Sequence, residues 1–374
     1  MRNIFSLSAL AVLALGLSLP ATAQTYKFGT LYSFSNNGTD PQTPSALIID
    51  GSGNLYGTSI SGGTFNNGAV FKVTPKGVLS LLYSFNGNDN TDAVSPINLV
   101  RDSKGNLLGD TRALVKSYVG DLFELTPQSD GTYTFTSLYA APDVAAQIVL
   151  NPAGDLFWLN CGYGGGPTCD SNTSLNEISN GQNSKLYFFT STGFYASGNY
   201  VMDKSGNIYG TEAGDGGQSS WGLVYKWSPV SGYSVLHTFN GSDGSDPNAL
   251  RQDAAGDLYG TTSGGGTKGF GTVFKISSTG TLSTLYNFCS RKNCSDGIYP
   301  YGPLTLDAKG NIFGVLNSGI FELTSGGIES LLYNSGSVFM GPGLVKDKAD
   351  NFYGTTINGG SAGLGSVYKL RASK

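Results

Sequence analysis

Several residues in this 374-residue sequence have types and spacings that invite a chemical reading. The stretch DLYGTTSGGGTKGFGTVFKI, Asp257 to Ile276, enters a glycine-rich loop carrying Lys268, a composition that suits a phosphate cradle. The detail does not fit. Lys268 is followed by Gly269 rather than Ser or Thr, and TVFKI reads as a strand, so no helix N-terminus would face a phosphate. The sole histidine, His237 in VLHTF, replaces the tyrosine of LLYSF and belongs on an outer strand. A histidine-dependent triad or a histidine-rich metal centre is therefore excluded as the basis of activity.

Asp40, Asp92, Asp243 and Asp296 each stand four residues before a proline and directly after Thr or Ser. Carboxylate, hydroxyl and carbonyl oxygens of this kind make a weak calcium site, and Ca2+ is the one cofactor the sequence suggests. The favoured reading is an Asx turn, because these loops lack the dense alternating carboxylates of a calcium loop. Four cysteines remain. Cys161 and Cys169 flank one loop, and Cys289 and Cys294 flank another; pairing within each loop is the simplest of the three connectivities. Glu212 and Asp215 are acids outside any repeated motif, which keeps open a carbohydrate-active hydrolase or lyase using two carboxylates.

The elements that would position these residues come from a repeat. DGSGNLYGT (Asp50–Thr58) recurs as DSKGNLLGD, NPAGDLFWL, DKSGNIYGT, DAAGDLYGT, DAKGNIFGV and DKADNFYGT, seven copies spaced by roughly 50 residues. Each copy has an apolar run ending at the motif, the turn D-x-x-G-N/D, a second run, a glycine-rich loop, a run such as GTVFKI, and a last run such as LYSF. Four short strands per unit make a propeller blade. The repeated Asp is a turn cap, accepting backbone N–H bonds while Gly supplies the left-handed conformation. The last unit stops after GSVYKL, and the strand it needs, YKFGTLYSF, lies at the other end of the chain. Pairing of Thr30–Phe34 with Ser366–Leu370 would close the ring and leave no open edge. The expected fold is all-β, a seven-bladed β-propeller of four-stranded blades. Its units run about 44–86, 96–140, 145–190, 197–239, 247–288, 302–333 and 341–370 plus 26–34, within one domain from 24 to 374. The third unit is the weakest, since Asn151 replaces Asp and Trp158 replaces Gly.

LYSFNGNDNTDAVSP, DLYGTTSGGGTKGFGTVFKI and NFCSRKNCSDGIYP together resemble the exported bacterial GloVer-type (Gloeo/Verruco) tandem repeats, over almost the whole chain after its leader. The resemblance implies export and a propeller-like fold, and it implies no particular chemistry. Many proteins of that type carry a C-terminal sorting anchor; this chain ends in KLRASK.

The first residues, MRNIFSLSALAVLALGLSLPATAQ, read as a signal peptide over 1–23, cleaved before Gln24. The expected location is secreted or periplasmic, with disulfides and no membrane span in the mature chain. Beyond Arg2 the leader carries no charge, so the mature chain has 21 basic and 26 acidic residues. That acidic balance, without a basic cluster, excludes nucleic acid as a partner. The 55 glycines and 21 tyrosines suit short strands and tight turns.

In such a ring the glycine loops and the blade-to-blade connections share one face. Phe65, Tyr118, Tyr163, Trp221 and Phe270 fall in those loops, among amides and hydroxyls. Exposed, they would stack on sugars; folded back, they would only cover their own loops. The expected function is a monomeric binding or scaffold module for an extracellular polysaccharide, a cell-wall component or an envelope protein.

Overall fold

The structure is a computed structural model, and it describes residues 25–87, 94–112, 120–141, 144–160, 173–189, 195–214, 221–317 and 319–373. Seven antiparallel sheets of four strands form a β-propeller, with a single helical turn, Lys292–Cys294, among the described residues. Blades are numbered here in chain order. Blade 1 comprises Pro41–Ile49, Leu55–Gly62, Ala69–Val73 and Leu79–Ser84; blade 4 comprises Tyr195–Met202, Ile208–Ala213, Leu223–Ser228 and Gly232–Thr238. Blade 5 comprises Ser245–Gln252, Leu258–Gly264, Thr272–Ile276 and Leu282–Asn287, and blade 6 comprises Pro300–Leu306, Ile312–Leu316, Gly319–Leu323 and Glu329–Asn334. The first strand of every blade faces the axis and the fourth lies outermost.

Blade 7 is closed as the sequence predicts. Its own strands are Val345–Lys346, Phe352–Thr356 and Ser366–Ala372, and Tyr26–Ser33 supplies the fourth. Thr30 pairs with Tyr368, Tyr32 with Val367 and Ser33 with Ser366. No described residue lies in a helix long and apolar enough to cross a membrane.

The recurring motif does what its turn chemistry requires. Asp50 Oδ1 accepts the N–H groups of Ser52 and Asn54, both at 2.9 Å. Its Oδ2 accepts the Asn54 side-chain amide at 2.8 Å and the Tyr56 hydroxyl at 3.2 Å. The same set recurs around Asp203 and Asp347. Burial alone would raise these carboxyls; the accepted hydrogen bonds outweigh it and hold Asp50, Asp203 and Asp347 below the ordinary value.

Packing between blades repeats too. The glycine before the third strand is needed because the next blade's proline lies against it. A Cβ at Gly68 would stand 2.7 Å from Pro96 Cδ, and Gly222, Gly271 and Gly365 meet Pro247, Pro300 and Pro44 in the same way. The last of these pairs joins blade 7 to blade 1. Aromatic edges reinforce the joints: Phe34 meets Phe71 at 5.2 Å, Phe85 meets Phe123 at 5.3 Å, and Phe288 meets Phe321 at 5.1 Å, each edge to face.

The weak third unit is a full blade, built from Val144–Leu150, Leu156–Asn160, Ser174–Ser179 and Gln182–Phe188. Elsewhere a glycine such as Gly57 makes room for the phenyl ring of its cross-strand partner, here Phe71; a Cβ there would lie 2.6 Å from the ring. In blade 3 the two positions are exchanged. Trp158 stands at the glycine position and is buried, and its cross-strand partner is Asn176. The ring space is filled from the second strand instead of the third. Tyr139 of blade 2 packs on Trp158 at 5.0 Å across the joint between the two blades.

Candidate functional site

The Asp257–Ile276 stretch is the second-to-third-strand hairpin of blade 5, with Gly265, Gly266, Gly269 and Gly271 in left-handed conformations. A strand follows the loop directly, so the phosphate reading is absent from the geometry as it is from the sequence.

The Asp-x-x-x-Pro carboxylates are occupied by hydrogen-bond donors. Asp40 accepts from the Tyr32 hydroxyl at 2.9 Å, the Ser35 N–H at 2.9 Å and the Asn37 amide at 2.7 Å. Asp296 accepts from the Tyr286 hydroxyl at 2.8 Å and from Ser290 through both its N–H and its hydroxyl. His237 takes the tyrosine's part in blade 4, with Nε2 2.9 Å from Asp243 Oδ2. Each Asp therefore ties the outer strand of one blade to the connection into the next. Asp92 lies outside the described residues. Among the described residues, no three His, Cys, Asp or Glu side chains gather as a metal site. Cys289 and Cys294 are joined as a disulfide in the blade 5 to blade 6 connection; Cys161 and Cys169 lie outside the described residues.

Glu212 is buried at the end of the second strand of blade 4, where other copies carry Thr262 or Thr356. It accepts the Tyr233 hydroxyl at 2.7 Å. Burial pushes its carboxyl up to about 7, against the opposing effect of that hydrogen bond. Asp215 lies outside the described residues.

Clefts of about 490 and 570 Å³ lie between the capped turns of neighbouring blades; two other regions carry the apolar or aromatic surface of a ligand site. On the axis, the inner strands enclose a cavity of about 510 Å³. Its described walls hold no histidine and no carboxylate; they are Leu, Ile, Val and Pro, interrupted by residues such as Arg251, Thr305 and Tyr200. The second region is the face bearing the hairpin loops and blade connections. Phe65 there is 52% exposed and Trp221 is 45% exposed. A Cβ at Gly241 would lie 3.1–3.2 Å from three indole carbons of Trp221, so the ring rests flat on the Gly241 backbone with its other face outward. Phe270 is half-buried and packs against Tyr299 at 5.5 Å. Tyr299 and Phe339, in the connections after blades 5 and 6, are the exposed aromatics that sequence reasoning missed. Neither lies in a glycine loop; the proline just after Tyr299 was the only signal near it. Tyr118 and Tyr163 lie outside the described residues.

A family model described as the Gloeobacter/Verrucomicrobia repeat matches residues 18–167 and again 166–339. The chain belongs to the Gloeobacter/Verrucomicrobia repeat family. No curated protein matches its sequence. Among solved structures, this repeat chain is similar to virginiamycin B lyase from Staphylococcus aureus, at 13% identity and a TM-score of 0.65, over 93% of this chain and 100% of that one. A streptogramin B lyase matches at 12% identity and a TM-score of 0.66, over 93% and 98%. The extracellular domain of a protein described as a one-component system from B. thetaiotaomicron matches at 12% identity and a TM-score of 0.60, over 91% of this chain and 39% of that one. At these identities the likeness is one of fold. The same ring serves enzymes and a signalling ectodomain, so the fold does not choose a function.

Proposed function

We propose that this repeat propeller is an exported, monomeric binding module whose loop face takes an extended extracellular glycan. The observation that carries the reading is Trp221, an indole seated on a glycine backbone with one face open. A flat apolar ring held in place, with the hydroxyl and amide groups of Ser242 and Asn240 beside its glycine support, suits stacking on a sugar ring. Phe65, Tyr299 and Phe339 extend the exposed aromatic surface around the same face. The disulfide at Cys289–Cys294 is compatible with export.

The test is affinity electrophoresis and glycan-array binding of the intact protein against cell-wall and capsular polysaccharides, with Trp221→Ala and Phe65→Ala. The expected result is retardation by at least one polysaccharide, with a loss of about tenfold in affinity on Trp221→Ala, the scale of one lost aromatic contact. Equal binding by wild type and Trp221→Ala, or no binding to any polysaccharide, would refute the reading.

A second reading, a carbohydrate-active enzyme, has one observation in its favour: Glu212 is a carboxyl outside the repeat pattern and pushed up to about 7, the range of a general acid. Against it, the carboxyl is buried and bonded to Tyr233, and the walls of the axial cavity do not include it. Release of reducing ends from a bound polysaccharide, abolished by Glu212→Gln, would favour the enzyme.

A further inference from the structure

The axial cavity differs in kind from the loop face. One level of its wall is built from the equivalent residue of each inner strand. Five of these are aliphatic: Ile48, Val100, Val149, Val201 and Val345. They are half-buried, and together they form a contiguous apolar surface open to solvent. Blades 5 and 6 supply Arg251 and Thr305 at the same level. The residue just before each of these seven is Leu or Ile in every blade except the fourth, which places Tyr200 there. Arg251 is exposed, and among the described residues no carboxylate forms an ion pair with it. Lys346, the other cation of the wall, is already paired with Asp350.

We infer that the axial cavity binds a single-chain aliphatic carboxylate, a fatty-acid-like amphiphile, with its chain along the Leu, Ile and Val walls and its carboxylate on Arg251. The chemistry is selective on three counts. The walls offer too few polar groups to replace the water around a sugar's hydroxyls, so a glycan would enter at a loss. A cavity of about 510 Å³ falls within the range of small-molecule sites, which are mostly apolar with a few orienting polar groups. One unpaired guanidinium matches one carboxylate through parallel N–H bonds, whereas a phosphate monoester brings nearly two charges. The inference concerns the axis alone and does not rest on the loop-face reading.

Titration calorimetry of the full chain at pH 8 with decanoate tests it, alongside 1-decanol for the chain without charge and acetate for the charge without chain. The expected result is saturable 1:1 binding of decanoate, weaker binding of decanol and none of acetate. Arg251→Leu should weaken decanoate about tenfold, the scale of one charge-assisted pair, and leave decanol unchanged. Val201→Trp, which fills the wall, should abolish both. Arg251 is exposed, so Arg251→Gln provides a second variant that retains the fold, checked by its melting temperature. Absence of saturable decanoate binding overturns the inference. So does decanoate affinity unchanged in Arg251→Leu and Arg251→Gln, or binding that survives Val201→Trp in a folded variant.

Discussion

Replacing Glu329 by leucine should make this protein more stable, and more so at pH 8 than at pH 5. Glu329 opens the outer strand of blade 6, at the position where blades 1 and 5 carry Leu79 and Leu282. Its side chain is fully enclosed, and Arg291, half-exposed, places Nη1 3.0 Å from Oε2. The contact is an ion pair without hydrogen-bond alignment: among the described residues no donor meets either carboxylate oxygen in good hydrogen-bond geometry, and the nearby Tyr286 hydroxyl favours the charged form only weakly. Arg291 Nη2 instead donates to the Glu329 backbone oxygen at 2.6 Å. Burial dominates and pushes the carboxyl up to about 7; Arg291 opposes this and Asp296 adds to it. The sign follows from a folded value above the ordinary 4.5: the folded chain holds the proton more tightly than the unfolded chain does. Stability is therefore full below about 4.5 and is lost as pH rises to about 7. A rise from 4.5 to about 7, at about 1.4 kcal/mol per unit, sets a ceiling near 3 kcal/mol for the loss. Arg291 is half-exposed, so water can take up its charge when Glu329 is replaced, and the cost of stranding a buried partner does not arise. Urea unfolding of wild type and Glu329→Leu at pH 5 and pH 8 measures it. The expected gain is about 2 kcal/mol at pH 8 and under about 1 kcal/mol at pH 5. Equal gains at the two pH values, or a loss at pH 8, would refute the reasoning.

Three further outcomes follow from the same structure. Asp203→Ala removes the acceptor for four hydrogen bonds and should cost about 2 kcal/mol in urea unfolding at pH 7, whereas Asp203→Asn, the residue found naturally at Asn151, should cost less. Gly365→Ala combines a φ of +102° with a collision against Pro44; it should destabilise by more than about 2 kcal/mol and speed amide exchange across Thr30–Ser33, the strand that closes the ring. Trp158→Gly and Asn176→Phe should each be destabilising alone, by about 2–4 kcal/mol, and the double variant should recover most of the loss by restoring the arrangement of Gly57 and Phe71.

The ring was legible in the sequence because its signals are local. A turn cap, a glycine and an apolar alternation all lie within ten residues of one another, and seven copies reinforce the reading. What joins one blade to the next was not legible. The glycines Gly68, Gly222, Gly271 and Gly365 and the prolines of the blades that follow are visible as separate motifs, but their contact exists only once two blades are folded side by side. His237 shows the same limit: its outer-strand place could be read from VLHTF, whereas its bond to Asp243 needs the curl of the connection. Phe270 and Phe65 occupy similar loops and look alike in sequence. Phe270 directly precedes Gly271 and is covered by Tyr299 from the connection after blade 5, whereas Phe65 lies three residues before the equivalent Gly68 and stays exposed. Glu329 escaped notice because a charged residue beginning a strand is ordinary; it becomes anomalous only when set against Leu79 and Leu282 with its burial known.

One pattern distinguishes two explanations of the same contact. In blades 1, 4, 5 and 7 the second strand carries Tyr56, Tyr209, Tyr259 or Tyr353, each paired across the sheet with a lysine whose Nζ lies 4.9–5.7 Å from the ring centroid. That geometry alone suggests a cation–π contact. In blades 2, 3 and 6 the tyrosine becomes Leu108, Phe157 or Phe313, and the partner is Glu124, Glu177 or Glu322. Phe157 and Phe313 present rings that a lysine could cover, yet they face glutamates. The lysine therefore accompanies the hydroxyl, not the ring. In the four tyrosine blades the hydroxyl donates to the capping Asp at 2.9–3.2 Å. Lys369 stands 4.0 Å from the cap Asp347, and Lys275 pairs at 2.6 Å with Asp257 in the same turn. In blades 5 and 7 the lysine is thus a counter-charge of the acidic turn, and the ring is the surface it crosses to reach it. In blades 3 and 6 the Glu177 and Glu322 carboxyls are pushed up: burial first, then the nearby Asp155 for Glu177 and Asp307 for Glu322. Two versions of one turn, one carrying a lysine and one a glutamate, account for how the copies diverge while the backbone they cap stays the same.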